Sequence, residues 1–421
     1  MTIRNHHDFV NEINAMLDEA EPAMTADCCI YRVPYDIRKL NEDTFTPKVV
    51  SIGPFHYGHP RLQNMEKFKL LYVKHFSERV STSISLDRLI SSVEEVEPCV
   101  RRCYSDTVEL SIKEFVKVIL VDSCFLFELF LRSYYDDWSQ DDSIQLKPWL
   151  VTTMRLDLFL LENQLPFFIL ERLFNIAFPS SKIDHRLPSF LELTFDYFAY
   201  YNNMKLTPHD ISISHFTDLI RTFHLQPLSR RPNRSHESLV HLQSATELVE
   251  AGIRFRKSTS PCLMDIKFSG RVLEIPQLKV EDWTETLLRN LVALEQCHYP
   301  SNSYIVDYVA VMDFLINTSK DVDVLVQNGV ILNWLGDANS VANLFNSLWK
   351  NVTHVNFNSH YSKLCKDLNI FCKDPWHNMK ATLRRDYCNT PWQIAASVAG
   401  ILLLVLSLIQ TLCSIIQVVQ Q

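Results

Sequence analysis

The chain has 421 residues, of which 47% are apolar and 21% are charged, and this ordinary globular composition excludes bulk disorder and fibrous repeats. Only seven residues are glycine, which leaves few positions for the positive-φ turns of sandwiches, barrels and dinucleotide-binding loops. The formal net charge of −8 argues against a nucleic-acid partner, because nucleic-acid binders normally present a basic face. We therefore expect a mainly α-helical protein.

Residues 1–27 are predicted to form an N-terminal helix and a linker. Apolar side chains recur on one side of this helix, at Phe9, Val10, Ile13, Met16 and Leu17. The segment has no apolar run long enough for a signal peptide.

Residues 28–225 are predicted to form a first helical lobe. Two stretches in it, residues 115–131 and 154–174, are strongly apolar and of helical length. Each carries at least two acidic residues, so neither resembles a membrane span. We predict that both are buried core helices, the second kinked at Pro166.

Residues 226–238 carry proline, arginine and serine and are predicted to be a polar loop between two lobes. The second lobe, residues 239–390, is expected to contain helices and a small antiparallel β-sheet. Alternating apolar and polar residues predict three strands of this sheet, at residues 253–256, 264–268 and 272–275.

The C-terminal segment has no charged residue after Asp386 and is almost continuously apolar. Its length suits a tilted transmembrane helix, which we predict over residues 391–419. Because Lys380, Arg384 and Arg385 precede this helix, the positive-inside rule places the soluble part in the cytosol. The protein is thus expected to be tail-anchored and single-pass, in the plasma membrane or the endoplasmic reticulum.

One face of the predicted transmembrane helix carries mostly small and polar residues at alternating spacings of four and three. These residues are Ala396, Gly400, Leu403, Ser407, Gln410, Ser414 and Gln417. In lipid, small residues let helices approach and polar ones hydrogen-bond across them, which predicts a homo-oligomer or pairing with a partner's transmembrane helix. Alternatively, the hydroxyl groups bond back to their own helix.

Three short motifs resemble chemical sites, but each lacks a required feature. Residues 53–58 have the glycine spacing of a phosphate loop, yet His-Pro follows where Lys-Ser/Thr is needed. His236 and His241 are five positions apart, whereas a zinc-binding helix needs four. The acidic cluster at residues 136–142 has no second acidic motif opposite it, and residues 140–143 are predicted to be a solvated loop. We therefore predict no metal, cofactor or catalytic residue.

Four polar residues, Asp157, Glu162, Asn163 and Gln164, lie among leucine and phenylalanine. Burying a carboxylate costs free energy unless the group is paired or hydrogen-bonded. We predict a buried structural network that joins Glu162 to an arginine, a histidine or a backbone N–H group, with Glu295-Gln296 as a possible counterpart in the second lobe. The alternative is an active-site acid with a raised pKa.

Several long motifs occur in a fixed order along the chain. They are Ile30-Tyr-Arg-Val-Pro34, Pro47-Lys-Val-Val-Ser-Ile-Gly-Pro54, Asp157-Leu-Phe-Leu-Leu-Glu-Asn-Gln-Leu-Pro-Phe-Phe168, Asn290-Leu-Val-Ala-Leu-Glu-Gln-Cys-His298 and Lys380-Ala-Thr-Leu-Arg-Arg-Asp-Tyr387. Together with the apolar tail, these motifs resemble the plant family called domain of unknown function 247, over residues 28–421. The resemblance implies a plant protein that is mostly helical and has one C-terminal membrane helix.

The resemblance implies no established enzymatic activity, cofactor or catalytic residue. Some grass members of the family are implicated as pollen-side determinants of self-incompatibility, so the resemblance implies a recognition protein. We expect protein–protein recognition or a related signalling role, with specificity on surface loops at residues 133–145 and 202–238. One alternative is a membrane-surface enzyme that acts on a small lipidic or phosphorylated substrate through Asp136, Asp137 or Glu162. Another is an oligomeric scaffold.

Overall fold

The protein is mainly helical, as its low glycine content predicts. The structure, a computed structural model, describes residues 3–18, 26–80, 86–138, 142, 147–179, 187–209, 211–236, 240–373 and 391–419. The α-helices are Ile3–Asp18 (α1), Tyr35–Arg38 (α2), Gln63–Arg79 (α3), Leu86–Arg102 (α4), Ile112–Tyr135 (α5), Pro148–Asp157 (α6), Phe167–Ala177 (α7), Phe190–Tyr197 (α8), Phe216–His224 (α9), Ala245–Glu250 (α10), Thr284–Cys297 (α11), Tyr304–Leu315 (α12), Ser319–Gln327 (α13), Ala338–Leu348 (α14), Ser359–Lys373 (α15) and Pro391–Val419 (α16). The strands are Arg234–Ser235 (β1), Arg254–Ser258 (β2), Lys267–Ser269 (β3), Val272–Pro276 (β4), Leu278–Val280 (β5), Ile331–Asn333 (β6) and Phe357–Asn358 (β7).

The chain divides into two compact units. Unit 1 comprises Met1–Phe223 and Thr286–Tyr299, and unit 2 comprises His224–Glu285 and Pro300–Gln421. Most of α11 therefore belongs to unit 1, although it follows the strands of unit 2 in the chain.

The core of unit 1 is built around α5, which packs against α3, α4, α7 and α8. Most of its side chains are buried, which explains why the sequence of α5 is apolar almost all round. Aromatic rings fill the space beside α5, with the Phe190 ring centroid 5.0 Å from that of Phe127 and 5.7 Å from that of Phe130. Offset and edge-to-face pairs of this kind add to the stabilisation that burial provides.

Within the described part of the chain, α5, α8, α10 and α13 begin with reciprocal caps that are visible in the sequence. A Ser or Thr side chain accepts a hydrogen bond from a backbone N–H three residues later, and an acidic side chain there accepts one back. The pairs are Ser111 with Glu114, Ser189 with Glu192, Ser244 with Glu247, and Thr318 with Asp321. Local sequence thus specifies where α5, α8, α10 and α13 begin.

The prediction of one kinked helix over residues 154–174 is wrong. Helix α6 ends at Asp157 and α7 begins at Phe167, while residues 158–166 between them are not helical. Pro166 has no backbone N–H to continue a helix, and it pushes the preceding residue toward extended conformations. Residues 158–166 are nevertheless buried, so their polar backbone groups need partners from elsewhere in the fold.

Among the described residues, unit 2 contains three small sheets beside its helices. The central one has the order β2-β4-β3. Strands β3 and β4 form the antiparallel hairpin that the sequence predicts, turning at Gly270 with φ +62°. Strand β2 pairs parallel to β4, so the prediction of a purely antiparallel sheet is wrong at that strand. The chain crosses back through residues 259–266 before it forms the hairpin, and this connection makes the parallel pairing possible.

Part of the predicted polar loop at residues 226–238 is ordered by contacts with other residues of unit 2. It contains β1, which pairs antiparallel with β7. The Arg234 side chain, 12% exposed, is paired with Asp307 and donates to Asn356 Oδ1 at 2.7 Å. Residues 237–239 lie outside the described part of the chain.

Candidate functional site

The predicted polar residues of unit 1 lie together in and beside residues 158–166. The carboxylate of Asp157, which is 2% exposed, accepts hydrogen bonds from three successive backbone N–H groups. Lys48 N lies 2.9 Å from Oδ1, while Val49 N and Val50 N lie 2.6 Å and 2.9 Å from Oδ2. Burial raises the pKa of Asp157 to about 6, against the opposing effect of these N–H groups. The carboxylate thus accepts the hydrogen bonds that a neighbouring strand would otherwise accept from residues 48–50.

Asn163 and Gln164 bind backbone groups that no helix or sheet satisfies. Asn163 accepts from Ile52 N at 2.7 Å and donates to Val50 O at 3.0 Å. Gln164 donates to the carbonyl oxygens of Leu158 and Leu160, both at 2.8 Å. Buried backbone groups nearly always form hydrogen bonds. In this segment the amide side chains of Asn163 and Gln164 supply the partners that a helix or a sheet would otherwise provide.

Glu162 lies at the centre of a buried charge cluster. Its Oε1 accepts from Val33 N at 2.8 Å and from Arg38 Nη1 at 2.6 Å. Its Oε2 lies 3.3 Å from Arg32 Nη1 and 3.4 Å from His56 Nε2. Burial alone would raise the pKa of Glu162, but His56, the Val33 N–H and Arg38 outweigh it and hold the pKa below its usual range. The cluster ties the N-terminal motif of the chain to the central one.

Sequence reasoning predicts the types of partner that Glu162 needs but does not identify the individual residues. Arg32 lies in the motif Ile30–Pro34, but only the fold brings Arg32, Arg38 and His56 to Glu162. Glu295, the expected counterpart, lies in unit 1 and pairs with Arg221 at 2.9 Å.

A second buried ion cluster lies at the contact between α3 and α5 and was missed by the sequence analysis. The ammonium of Lys69, which is 0% exposed, lies 2.7 Å from both Asp122 Oδ1 and Glu66 Oε1. Asp122 Oδ2 also accepts from Gly53 N at 2.8 Å. Burial raises the pKa of Asp122 to about 6, against the opposing charge of Lys69. The sequence signal was a lone Asp inside an apolar helix, which requires a buried partner.

Two of the acidic residues after α5, Asp137 and Asp142, pair with different arginines. Asp137 Oδ2 lies 2.8 Å from Arg79 Nη2, whereas Asp142 Oδ2 lies 2.7 Å from Arg132 Nη1. Asp142 is only 6% exposed, so the prediction of a solvated position is wrong there. Asp141 and most of the loop beyond Trp138 lie outside the described residues. Within the described ranges, no group of three His, Cys, Asp or Glu residues is placed to hold a metal ion.

Three cavities of unit 1 do not converge on the acids that an enzyme hypothesis would use. One of about 270 Å³ lies between α3 and α5, one of about 490 Å³ between α4 and α5, and one of about 560 Å³ beside α8. None of these three is lined by Asp136, Asp137, Asp157 or Glu162.

The C-terminal helix α16 contains one stretch, Ala395–Ile415, that is long and apolar enough to cross a membrane, and no other described helix meets that standard. Its large apolar side chains are exposed; Leu403, for example, is 68% exposed. Thr390 and the basic residues before it lie outside the described part of the chain.

The predicted association face of α16 is exposed at Ala396, Gly400, Ser407, Gln410 and Ser414. The side chain of Gln417 lies outside the described atoms. Ser407 Oγ donates to Leu404 O and Ser414 Oγ to Gln410 O, both at 2.9 Å, so in the single chain these hydroxyls bond to their own helix.

Comparison with known proteins supports the sequence motifs. The DUF247 family, described as a plant protein of unknown function, matches residues 30–406. The UPF0481 protein At3g47200 of Arabidopsis thaliana is 27% identical over 94% of this chain and 88% of its own length. The putative UPF0481 protein At3g02645 of the same plant is 23% identical over 90% and 89% of the two chains. No solved structure matches the chain significantly. The family match covers most of the chain, including both the Glu162 network and the start of the apolar tail, and the protein therefore belongs to the plant DUF247 family.

Proposed function

We propose that this protein is a single-pass, tail-anchored membrane protein that acts by protein–protein recognition, with its soluble part in the cytosol. The observation that carries the proposal is the saturation of the buried carboxylates by groups of the same chain. Asp157 is bound by three backbone N–H groups and Glu162 by a backbone N–H and two arginines. Such a network stabilises the fold and leaves the surface as the place for specificity.

The membrane part of the proposal rests on α16. A helix that exposes so many leucine and isoleucine side chains is poorly suited to water and well suited to lipid. Orientation follows from Lys380, Arg384 and Arg385 in the sequence, since basic residues flanking a span favour the cytosolic side. The membrane itself would be the plasma membrane or the endoplasmic reticulum.

The recognition part rests on the exposed loops of the protein. Leu228, in the short turn Leu228–Arg230, is 80% exposed, and Arg230 beside it is exposed as well. Arginine is enriched at protein interfaces and among the residues that contribute most of their binding energy. A pollen-side self-incompatibility role is the sharpest form of this proposal and is supported by the family resemblance alone.

Topology is tested by protease protection and glycosylation mapping of the full chain in plant microsomes. We expect external protease to digest the soluble part, and Asn233 and Asn351 to carry no glycan. Asn233→Gln and Asn351→Gln variants serve as mobility controls. A protected soluble part with a glycan at either site would place it in the lumen or outside the cell and would overturn the orientation.

Recognition is tested by crosslinking in plant cells followed by mass spectrometry. Leu228→Asp and Arg230→Glu should remove specific crosslinked partners while the protein remains folded. Ile370→Asp, at another strongly exposed apolar position on α15, is the matched control and should keep the partners. Identical partners in all variants would contradict a role for the exposed turn Leu228–Arg230.

A further inference from the structure

Two buried cysteines lie side by side where the chain before α2 meets the end of α4. The backbone N–H groups of Cys29 and Ile30 both donate to Cys103 O, at 3.0 Å and 2.9 Å. Ser105 N donates to Ile30 O at 2.9 Å, which completes a parallel bridge between Ile30 and Tyr104. Cys29 and Cys103 each precede a bridged residue, so they are direct neighbours with side chains on the same face of this pairing.

The spacing of these two cysteines suits a disulfide. Paired backbones lie about 4.8 Å apart, and a disulfide needs a separation of about 4.4–6.8 Å between its two Cα atoms. The two thiols are already in contact, since they share a hydrogen bond. That hydrogen bond lowers the pKa of Cys103 and raises the pKa of Cys29. Cys103 is therefore the thiol of the pair that ionises first, and a thiolate is the form that reacts with oxidants.

The neighbouring cysteines have other surroundings. The thiol of Cys28 hydrogen-bonds with the Tyr31 hydroxyl. Cys99 is exposed, and its sulfur lies 3.4 Å from Arg102 Nη2. No three possible metal ligands come together among the residues that the structure describes, so the arrangement supports thiol chemistry and not a metal site.

We propose that Cys29 and Cys103 are a redox-active pair that forms a reversible disulfide when the protein meets a hydroperoxide. The Cys103 sulfur attacks one peroxide oxygen and becomes a sulfenic acid, while the other oxygen leaves and takes up the Cys103 proton as water. The Cys29 sulfur then attacks the sulfenic sulfur, the S–S bond forms, and the hydroxyl group leaves with the Cys29 proton as a second water. The two thiols lose two electrons and two protons, and hydrogen peroxide accepts both.

The disulfide would fasten the segment that leads into the Glu162 cluster. Arg32 and the Val33 N–H reach Glu162 from directly beyond the bridge. A bond between Cys29 and Cys103 closes a long loop and restricts the unfolded chain, which raises stability. In a reducing compartment the thiols stay free, so the bond forms only under oxidising conditions. The proposal does not depend on the recognition function or on membrane orientation.

The test treats the purified full chain in detergent micelles with hydrogen peroxide and blocks the remaining thiols with N-ethylmaleimide. Non-reducing trypsin digestion and mass spectrometry then map the disulfides. Trypsin separates Cys99 from Cys103 because two arginines lie between them. We expect peptide 5–32 to be linked to peptide 103–113 and dithiothreitol to remove the link. Oxidation should raise the melting temperature by about 5 °C, reversibly.

Four variants identify the linked thiols, because peptide 5–32 contains both Cys28 and Cys29. Cys29→Ser and Cys103→Ser should each abolish the link and the rise in melting temperature. Cys28→Ser and Cys99→Ser are the matched controls and should form the link at the wild-type yield. Circular dichroism of the reduced proteins checks their folding, and tandem mass spectrometry of the wild-type linked peptide locates the bond even if a variant does not fold.

Three outcomes would overturn the proposal. One is that Cys29 and Cys103 remain free thiols after a treatment that oxidises the exposed Cys99. Another is a disulfide that joins Cys103 to Cys28 or to Cys99 instead. The third is a link between Cys29 and Cys103 that dithiothreitol does not reduce, since the pair would then not be reversible.

Discussion

The carboxylate of Asp157 accepts a 2.6 Å hydrogen bond from the backbone N–H of Val49, 108 residues earlier in the chain. This contact joins the two most characteristic motifs of the sequence inside the core of unit 1. Three neighbouring N–H groups depend on that one side chain, so it substitutes for a whole strand partner.

We predict that Asp157→Asn destabilises the protein by about 2–4 kcal/mol. The amide keeps the shape of the carboxylate but turns an NH₂ group toward N–H donors, which leaves buried donors without acceptors. Urea unfolding followed by circular dichroism measures the change. Asp43→Asn, at an exposed position near the same segment, should change stability by less than about 0.5 kcal/mol.

Glu162→Ala should deplete the folded protein instead of giving a stable but inactive one. The substitution leaves the buried part of Arg38 and the Val33 N–H without their acceptor, and breaking such a buried pair costs about 3–5 kcal/mol. The yield of monodisperse protein and its melting temperature measure this effect. A Glu162→Ala protein as stable as wild type would favour an active-site role for this carboxylate.

Gly53 and Gly58 have similar backbone conformations but different amounts of free space around them, so the same substitution can be compared at both. Both have positive φ, +74° and +78°. A Cβ at Gly53 would collide with the backbone oxygen of Gln164, whereas one at Gly58 meets nothing within 4 Å. Gly58→Ala should therefore cost about 1 kcal/mol, and Gly53→Ala at least about 2 kcal/mol more. Equal losses in chemical unfolding would show that Gln164 can move away.

His215 makes stability depend on pH. It is fully buried, its Nε2 lies 3.0 Å from Cys29 O, and burial lowers its pKa to about 4. The unfolded chain therefore binds a proton between about pH 6.5 and 4 that the folded chain does not, so stability falls as the pH falls through this window. The loss reaches about 3 kcal/mol at pH 4.

His215→Asn removes this contribution and keeps an acceptor for the Asp218 N–H at the start of α9. The difference in unfolding free energy between wild type and variant should shift by about 3 kcal/mol in favour of the variant from pH 7.5 to 4. His209→Asn, at an exposed position, controls for the change of residue type. A pH-independent difference would contradict the prediction.

The exposed small and polar face of α16 leads to a test of oligomerisation. Gly400→Leu with Gln410→Leu should weaken self-association or heterologous pairing in membranes. The first change prevents close approach of the helices, and the second removes a side chain that can hydrogen-bond across them. Ile401→Leu with Leu408→Ile is a control that keeps bulk on the rest of the helix. Single-molecule photobleaching in vesicles counts the chains per particle, and unchanged counts would show that this face does not drive association.

Local sequence rules predict much of the fold, for clear physical reasons. The near-absence of glycine indicates a helical protein, Gly252 ends α10 with φ +94°, and the Asp337 side chain caps α14. These are local effects, since a cap or a positive φ needs only the nearest residues. The apolar tail was likewise identified from composition and length.

Tertiary structure decided the rest. Residues 158–166 lie in a strongly apolar stretch of helical length but form a buried irregular segment. There Asn163 accepts a hydrogen bond from Ile52 N and Gln164 accepts one from Phe216 N, and both donors are distant in sequence. Strand β2 pairs parallel with β4 although the alternation of residues gives no direction.

The sequence by itself determined the helical class, the apolar C-terminal helix, several helix ends and the presence of polar residues that need partners. Only the tertiary structure decided which partners they have: Arg38 and Val33 for Glu162, and Lys69 for Asp122. Hydrophobic patterning can be read from neighbouring residues, because burial of apolar groups has no preferred direction. A buried charge instead needs a partner at the right distance and angle, and that partner is brought near only when the chain folds.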